Sequence, residues 1–466
     1  MKNKNNILVP EDWGLNADSN GELCWNSFKL TSLAEEFDTP LYIINEDRLF
    51  SFAEMFKTKV NMIFGKQGSV YYPFKCNSVP AVINTIKKSG ISAEVMTEFE
   101  LELAIKLGFQ PNEIIVNGPC KTEKFLKKCV QTGVRFIIID SISELLSLIK
   151  IKAEKEIKIL LRVNPGIIPK GLYKGSATGS KSSWFGLDFP EVLAALQILK
   201  RNKFIKFNGI HFHIGTGIRE PKSYSGTIKK LYPIFSSIQK AGFKIKILDV
   251  GGGFASMTTR ELSSTEMLFS QVLSGYRFKW GKQKVFDAAY FLDEIKKALN
   301  SFFISLPEIF FEPGRCIVSP NQLLLLTAVR IKQRGSKRWL ITDGGLGTIT
   351  MPAYYEYHEI FPCSTVNRAV KETVTITGPC CFASDIIYKN KLMPRIKEGE
   401  IIALMDCGAY FNALESSFNF PKPPIVSVKG DGYTLVRRRE TFDEMFLRDN
   451  IEQNLFEEVK NEIRCY

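Results

Sequence analysis

The feature that most constrains this chain is a series of eight short apolar segments between residues 69 and 314, most of them separated by a helical pattern. They are SVYYPFK (69–75), SAEVMT (92–97), EIIVNG (113–118), RFIIID (135–140), IKILLRVN (157–164), FNGIHFHIG (207–215), KILDVGGG (246–253) and EIFFEPG (308–314). Each is rich in β-branched or aromatic residues and nearly continuous in apolar ones, as expected of a strand buried on both faces. Between them, VPAVINTIKKSG and EFELELAIKLG read as helices that stop at Gly90 and Gly108, suitable C-cap residues. Strands alternating with helices in this way predict a parallel (β/α)8 barrel. A helix over 46–58 precedes the first strand, and the stretch from 253 to about 285 fits no element.

After Pro313 the rhythm changes. Strand-like runs (LLLLTAVRIKQ, RWLITD, TVTITGP, IIALMD, PIVSV, YTLVRRR) follow with few helical patterns between them, which predicts a second, β-rich domain. The extended start (ELCWNSFKL) is expected to return to that domain. The expected class is α/β plus β. Residues 1–40 form an N-terminal segment of the β domain, 41–312 the barrel, and 313–466 the β-rich domain with a helical tail from Phe442. A chain of 466 residues suits two domains.

Composition narrows the setting. No stretch is apolar for 18 residues, and the start MKNKNNILVPEDW lacks the apolar run of a signal peptide. The ten cysteines are scattered without a CxxC pair, which points to reduced thiols in a cytoplasmic protein with no membrane span. No Cys/His set has zinc spacing. The net charge of +13 is spread along helices, so a solvated basic surface is expected rather than nucleic-acid binding. It would favour an acidic substrate or partner.

Reactive residues of such barrels gather at the C-terminal strand ends. Those ends hold Lys75, Glu94, Asn117, Asp140, Arg162, His213, Gly251–Gly253, and Glu312 with Arg315. Lys75 sits among apolar residues, where desolvation would disfavour its ammonium form and suit it to Schiff-base chemistry. A strand-end lysine reaching solvent is the ordinary alternative. The triple glycine would let backbone N–H groups approach a phosphate, or simply form a turn. His211 and His213 share one strand side. The pair could bind metal, but no third ligand is evident in the sequence nearby. One histidine stacked on a flat ring, the other satisfied in the core, is the preferred reading. Glu312 could hydrogen-bond a protonated pyridine nitrogen, and Arg315 could pair with a phosphate or carboxylate.

The ordered set YYPFKCN, LLRVNPG, GIHFHIGT, LDVGGGF, FFEPGRCIV, ITGPCCFASD and CGAYFNALESSFN resembles the fold-type III pyridoxal-phosphate decarboxylases, which include diaminopimelate, ornithine and arginine decarboxylases. The resemblance spans roughly residues 40–430 and is closest to the diaminopimelate branch, through RVNPG, WFGLD and AYYEYHEIFP. It implies an alanine-racemase-like barrel with a β domain, the cofactor pyridoxal 5′-phosphate, and decarboxylation of an amino acid to CO2 and an amine. It implies that Lys75 carries the cofactor as a Schiff base and that His213 stacks on its ring. Thr216, Gly251, Gly252 and Gly253 would hold its phosphate. Glu312 would meet its ring nitrogen, with Glu94 and Arg162 in support. Gly314, Arg315 and Tyr410 would complete the cofactor site. Cys381 would protonate the carbanion from the partner subunit, making the enzyme a homodimer with shared active sites. Arg315, Tyr355, Glu356, Phe382 and Tyr410 would face the substrate.

Two positions depart from the diaminopimelate pattern. Phe382 replaces the glutamate that usually follows the reactive cysteine, and Met351 replaces the arginine before Pro352. Leaving the two charged groups of diaminopimelate unread costs on the order of several kcal/mol. The expected substrate is therefore an amino acid or amino-acid conjugate, including a carrier-bound form, in an altered pocket. Meso-diaminopimelate decarboxylation, amino-acid racemisation and non-catalytic cofactor binding are the alternatives. Racemases of this fold place an arginine at the ring nitrogen, so Glu312 favours decarboxylation.

Overall fold

The computed structural model describes residues 8–169, 177–262, 264–273, 287–349, 356–364, 366, 368–369 and 371–449. The eight barrel strands are Gly68–Pro73, Ser92–Val95, Ile114–Val116, Phe136–Ile139, Ile157–Arg162, Ile205–His211, Ile247–Asp249 and Glu308–Phe311. They pair in parallel around a closed barrel in chain order. Side chains alternate across each strand, so the strand residues divide between two cores. Tyr71, Ile115, Phe136, Ile138, Leu160, Ile247 and Phe310 form an apolar plug of their own. Their neighbours Tyr72, Ile114, Ile137, Leu161 and Ile309 join the larger core with the helices.

The helices start where the sequence supplies a cap. Thr97, Thr122, Ser141 and Asp188 each accept a hydrogen bond from a backbone N–H of the first turn. The helix expected over 46–58 runs further, as Glu46–Phe64, with Leu49, Ala53, Phe56, Val60 and Phe64 buried on one face. Strands come out shorter than their apolar runs. The first stops at Pro73, and Lys75 belongs to a 3-10 turn, Phe74–Cys76.

The second sheet is organised by one long strand, Gln322–Arg334. Its first half pairs with Leu41–Asn45 and Ile401–Leu404, and its second half with Lys337–Thr342. Leu41–Asn45, expected inside the barrel division, is thus hydrogen-bonded into the second sheet. Its apolar run satisfies either environment, and only long-range pairing assigns it. Short strands Leu15–Ala17, Leu23–Trp25 and Phe28–Lys29 form a small antiparallel sheet, and Trp13, Leu15, Leu23 and Trp25 share a core with Leu41, Ile43, Leu323 and Val426. The stretch left unassigned after 253 contributes Arg260–Glu261, paired with Glu356–Tyr357, and the helix Ser264–Val272. The expected helical tail begins as Phe442–Phe446, and residues past 449 lie outside the described part. Among the described residues no helix is long and apolar enough to cross a membrane.

Contacts between barrel and sheet bring Tyr410 to the Lys75 turn. Asn77 Nδ2 donates to the Gly408 carbonyl at 2.9 Å, and Tyr410 N–H donates to the Cys76 carbonyl at 2.8 Å. Below them, buried Asp406 accepts from the Trp13 indole at 2.9 Å and from the Thr258 hydroxyl at 2.5 Å.

Candidate active site

Two residues beyond the apolar plug, the same strand parity produces a polar layer. Ile115 leads to Asn117, Ile138 to Asp140, Leu160 to Arg162, Ile247 to Asp249 and Phe310 to Glu312, and all five of these polar residues are buried. Glu94 and Lys75 adjoin them. Lys75 Nζ lies 2.5 Å from Glu94 Oε2, with 31% of the Lys75 side chain open to the mouth and Glu94 enclosed.

The lysine corrects a sequence expectation. Burial alone would lower its pKa, but the Glu94 and Glu312 carboxylates outweigh burial and raise it. In the cofactor-free protein Lys75 is held as an ammonium. Glu94 is pushed up by burial, with Lys75 opposing and Glu312 adding to the shift.

At the centre, His211 Nε2 stands 3.6 Å from Glu312 Oε1, and Asn117 Nδ2 lies 3.3 Å from His211 Nε2 and 3.5 Å from Glu312 Oε1. Burial would raise the Glu312 pKa, but His211 and then Lys75 hold it far below the usual carboxylate range. Asp249 completes this group. His211, Asp249 and Glu312 bring a ring nitrogen and two carboxylate oxygens within 4.8 Å of one another, a group that does not include His213. Asp249 was absent from the sequence-derived set, although its step of two from inward Ile247 marks it.

His213 lies past the strand end, where Gly252 N–H donates to its Nδ1 at 3.1 Å. Burial, then the Arg162 cation, push its pKa down to about 3. The folded value lies below the unfolded one of about 6.5, so the unfolded chain binds the extra proton in between. Stability falls as pH drops through that window, by up to about 1.4 kcal/mol per unit. Thermal unfolding of the cofactor-free protein at about pH 7 and about pH 5 should show a larger loss for the wild type than for His213→Gln. Equal losses would contradict a neutral buried His213.

Arg162 is fixed by Asp140 at 3.1 Å and lies over the Phe185 ring at 4.6 Å. Two strands along, the triple glycine is demanded by crowding. A Cβ on Gly252 would come within 2.1 Å of the Glu312 carbonyl oxygen, and Gly253, at φ +94°, would meet the Gly215 carbonyl oxygen at 2.1 Å. Close approach of neighbouring strand ends therefore explains these glycines as fully as phosphate access does. Gly314 packs against Pro73 and Cys76.

Arg315 Nε donates to Thr216 Oγ1 at 3.2 Å, and its guanidinium lies over the Tyr410 ring at 5.1 Å. Its other nitrogens meet Glu356 at 2.8 and 2.7 Å. His358 Nε2 approaches the same carboxylate at 3.1 Å. Burial would raise the Glu356 pKa, but Arg315 and His358 hold it lowered. Glu356, expected to face the substrate, is buried and held by Arg315 and His358 in the single chain. This ion pair joins residues 41 positions apart and had no local signal.

Cys381 is exposed, and Phe382 is 51% exposed. Their turn is held by Asp385, which accepts from Cys380 N–H at 2.8 Å and from Leu346 N–H at 2.7 Å. No described contact joins Cys381 or Phe382 to the Lys75 group within one chain. Tyr355 and Met351 lie outside the described residues.

A lysine at the mouth of a closed parallel barrel, ringed by His213, Glu312, a glycine turn and Arg315, is the arrangement of a pyridoxal-phosphate enzyme with an alanine-racemase-like barrel. The family model for the pyridoxal binding domain of pyridoxal-dependent decarboxylases matches residues 51–319, and the chain belongs to that family. Within it, the chain falls in the diaminopimelate decarboxylase branch of the fold-type III enzymes. The diaminopimelate decarboxylase of Archaeoglobus fulgidus is 29% identical over 438 residues, covering 93% of this chain and 98% of the relative. A solved structure from Aquifex aeolicus is 27% identical with a TM-score of 0.80, covering 95% of this chain and all of that one. The Methanocaldococcus jannaschii diaminopimelate decarboxylase, solved with L-lysine, shares the fold at 24% identity and a TM-score of 0.83, covering 96% of this chain and 100% of that one.

The protein is accordingly a pyridoxal-phosphate-dependent carboxy-lyase. The residues present fit the cofactor. Glu94 Oε1 and His211 Nδ1 are buried without a hydrogen-bond partner among the described residues, and the Glu312 carboxylate can face a cationic ring nitrogen. Thr216, the glycine turn and Arg315 offer the donors a phosphate needs.

Proposed function

We propose that this enzyme decarboxylates an amino acid, or a conjugate bearing one, whose far end lacks the paired ammonium and carboxylate of diaminopimelate. The cofactor, when bound, supplies the sink for the electron pair left as the bond from the α-carbon to the carboxylate breaks and CO2 leaves. Lys75 anchors it through Nζ. His213 offers a flat face to the ring, and Glu312 keeps the ring nitrogen protonated. Thr216 and the Gly251–Gly253 backbone hold the phosphate, with Arg315 and Tyr410 closing that end. Cys381 of a second copy delivers a proton from Sγ to the α-carbon, so the working form is a cytoplasmic homodimer with shared sites.

The observation that carries the substrate reading is Phe382. An apolar ring, half-exposed on the single chain, stands directly after the proton-donating cysteine, where a distal ammonium would need a carboxylate. Glu356 does not substitute, because Arg315 and His358 occupy it. The name carried by the relatives makes meso-diaminopimelate the second reading.

CO2 release from a panel of amino acids and conjugates separates the two. The proposal expects a substrate with an apolar or amide-linked far end to outperform diaminopimelate. Phe382→Glu should then raise kcat/KM for diaminopimelate by about tenfold or more. Diaminopimelate as the best substrate of the wild type would sink the altered-pocket reading.

A further inference from the structure

Asp249 is a buried carboxylate outside the set of residues that hold the cofactor. It ends the seventh barrel strand, pairs in register with His211 and Phe310, and is 0% exposed. Its Oδ1 accepts the Gly251 N–H at 2.9 Å, the first bond of the glycine turn. Among the described residues no N–H or O–H donates to its Oδ2, which is fully enclosed. Around it stand Glu312 from the eighth strand end, His211 from the sixth, Arg162 from the fifth, and Glu94 with Lys75 from the second and first. Glu312 and His211 are the immediate neighbours, within 4.8 Å.

Two enclosed carboxylates at this separation cannot both be ionised without a cation between them. One of them must carry a proton, and the surroundings choose which. Glu312 faces His211 and Lys75, which favour its anion. Asp249 has one backbone N–H and an otherwise empty oxygen. We propose that Asp249 is a positioning residue that stays un-ionised and donates its proton in a hydrogen bond to Glu312, leaving Glu312 as the single anion and aiming it at the cofactor's ring nitrogen. Burial, and then the charge of Glu312, hold the Asp249 carboxyl well above its usual range, in keeping with this assignment.

The test compares Asp249→Asn with Asp249→Leu. The amide of the first keeps an acceptor for Gly251 N–H and a donor toward Glu312, and the second keeps neither. Infrared spectra of the cofactor-free protein should show an un-ionised carboxylic-acid stretch that disappears in Asp249→Asn. Titration with pyridoxal phosphate should give Asp249→Asn a dissociation constant within about threefold of the wild type, and Asp249→Leu one about tenfold weaker or more. The cofactor arm rests on Glu312 facing the ring nitrogen, whereas the infrared arm does not. Persistence of the acid stretch in Asp249→Asn would overturn the proposal, as would its absence from the wild type, the result expected if a divalent cation held both carboxylates. So would equal weakening of both variants. Loss of the stretch with both variants binding like the wild type would leave the proton on Asp249 and sink the aiming of Glu312 at the ring. If Asp249→Leu does not fold by circular dichroism, the infrared result and the Asp249→Asn titration decide.

Discussion

Lys75→Ala abolishes decarboxylation and covalent retention of the cofactor together. No other lysine among the described residues pairs with Glu94 at the barrel mouth, where Lys75 Nζ lies 2.5 Å from that carboxylate. Removing it takes away the attachment atom and leaves Glu94 and Glu312 enclosed with one fewer cation. The rate should fall on the order of 10³-fold or more, as for loss of other covalent-catalysis residues. The visible absorbance of bound cofactor should vanish on dialysis, where the wild type keeps it. A variant that retained both would place the attachment elsewhere.

Cys381→Ala separates chemistry from binding. Cofactor absorbance should persist, because no described contact ties Cys381 to the cofactor-holding residues of its own chain. Turnover should drop by about 10²- to 10⁴-fold, the usual worth of a positioned proton donor. If the cysteine serves the neighbouring subunit, mixing Lys75→Ala with Cys381→Ala chains restores one intact site in each mixed dimer. Random pairing then gives about a quarter of wild-type activity. No recovery on mixing, with subunit exchange verified, would place Cys381 in its own chain's site or outside catalysis.

The barrel was legible in the sequence because its strands are buried on both faces and so read as continuous apolar runs. The strand ends were less so. Pro73 terminates the first strand, and Lys75 follows in a turn, a local event that an apolar run does not reveal. The polar layer was visible in part. Asn117, Asp140, Arg162 and Glu312 were read off strand ends, yet Asp249 was passed over in favour of the glycines beside it. The direction of the Lys75 pKa was misread because it depends on Glu94 and Glu312, which only the closed barrel brings to the lysine. The Arg315–Glu356 ion pair was hidden for the same reason, since Arg315 comes from the barrel's last strand end and Glu356 from the other domain. Leu41–Asn45 shows the same limit at fold level, with an apolar run compatible with either sheet and a long-range register that decides.

Chemical trapping shows most directly whether Lys75 holds pyridoxal phosphate. The purified protein, incubated with the cofactor, is reduced with borohydride, digested and sequenced by mass spectrometry. A phosphopyridoxyl group is expected on the lysine of the YYPFKCN peptide and on no other. An unmodified Lys75, or a label on a different lysine, would contradict it.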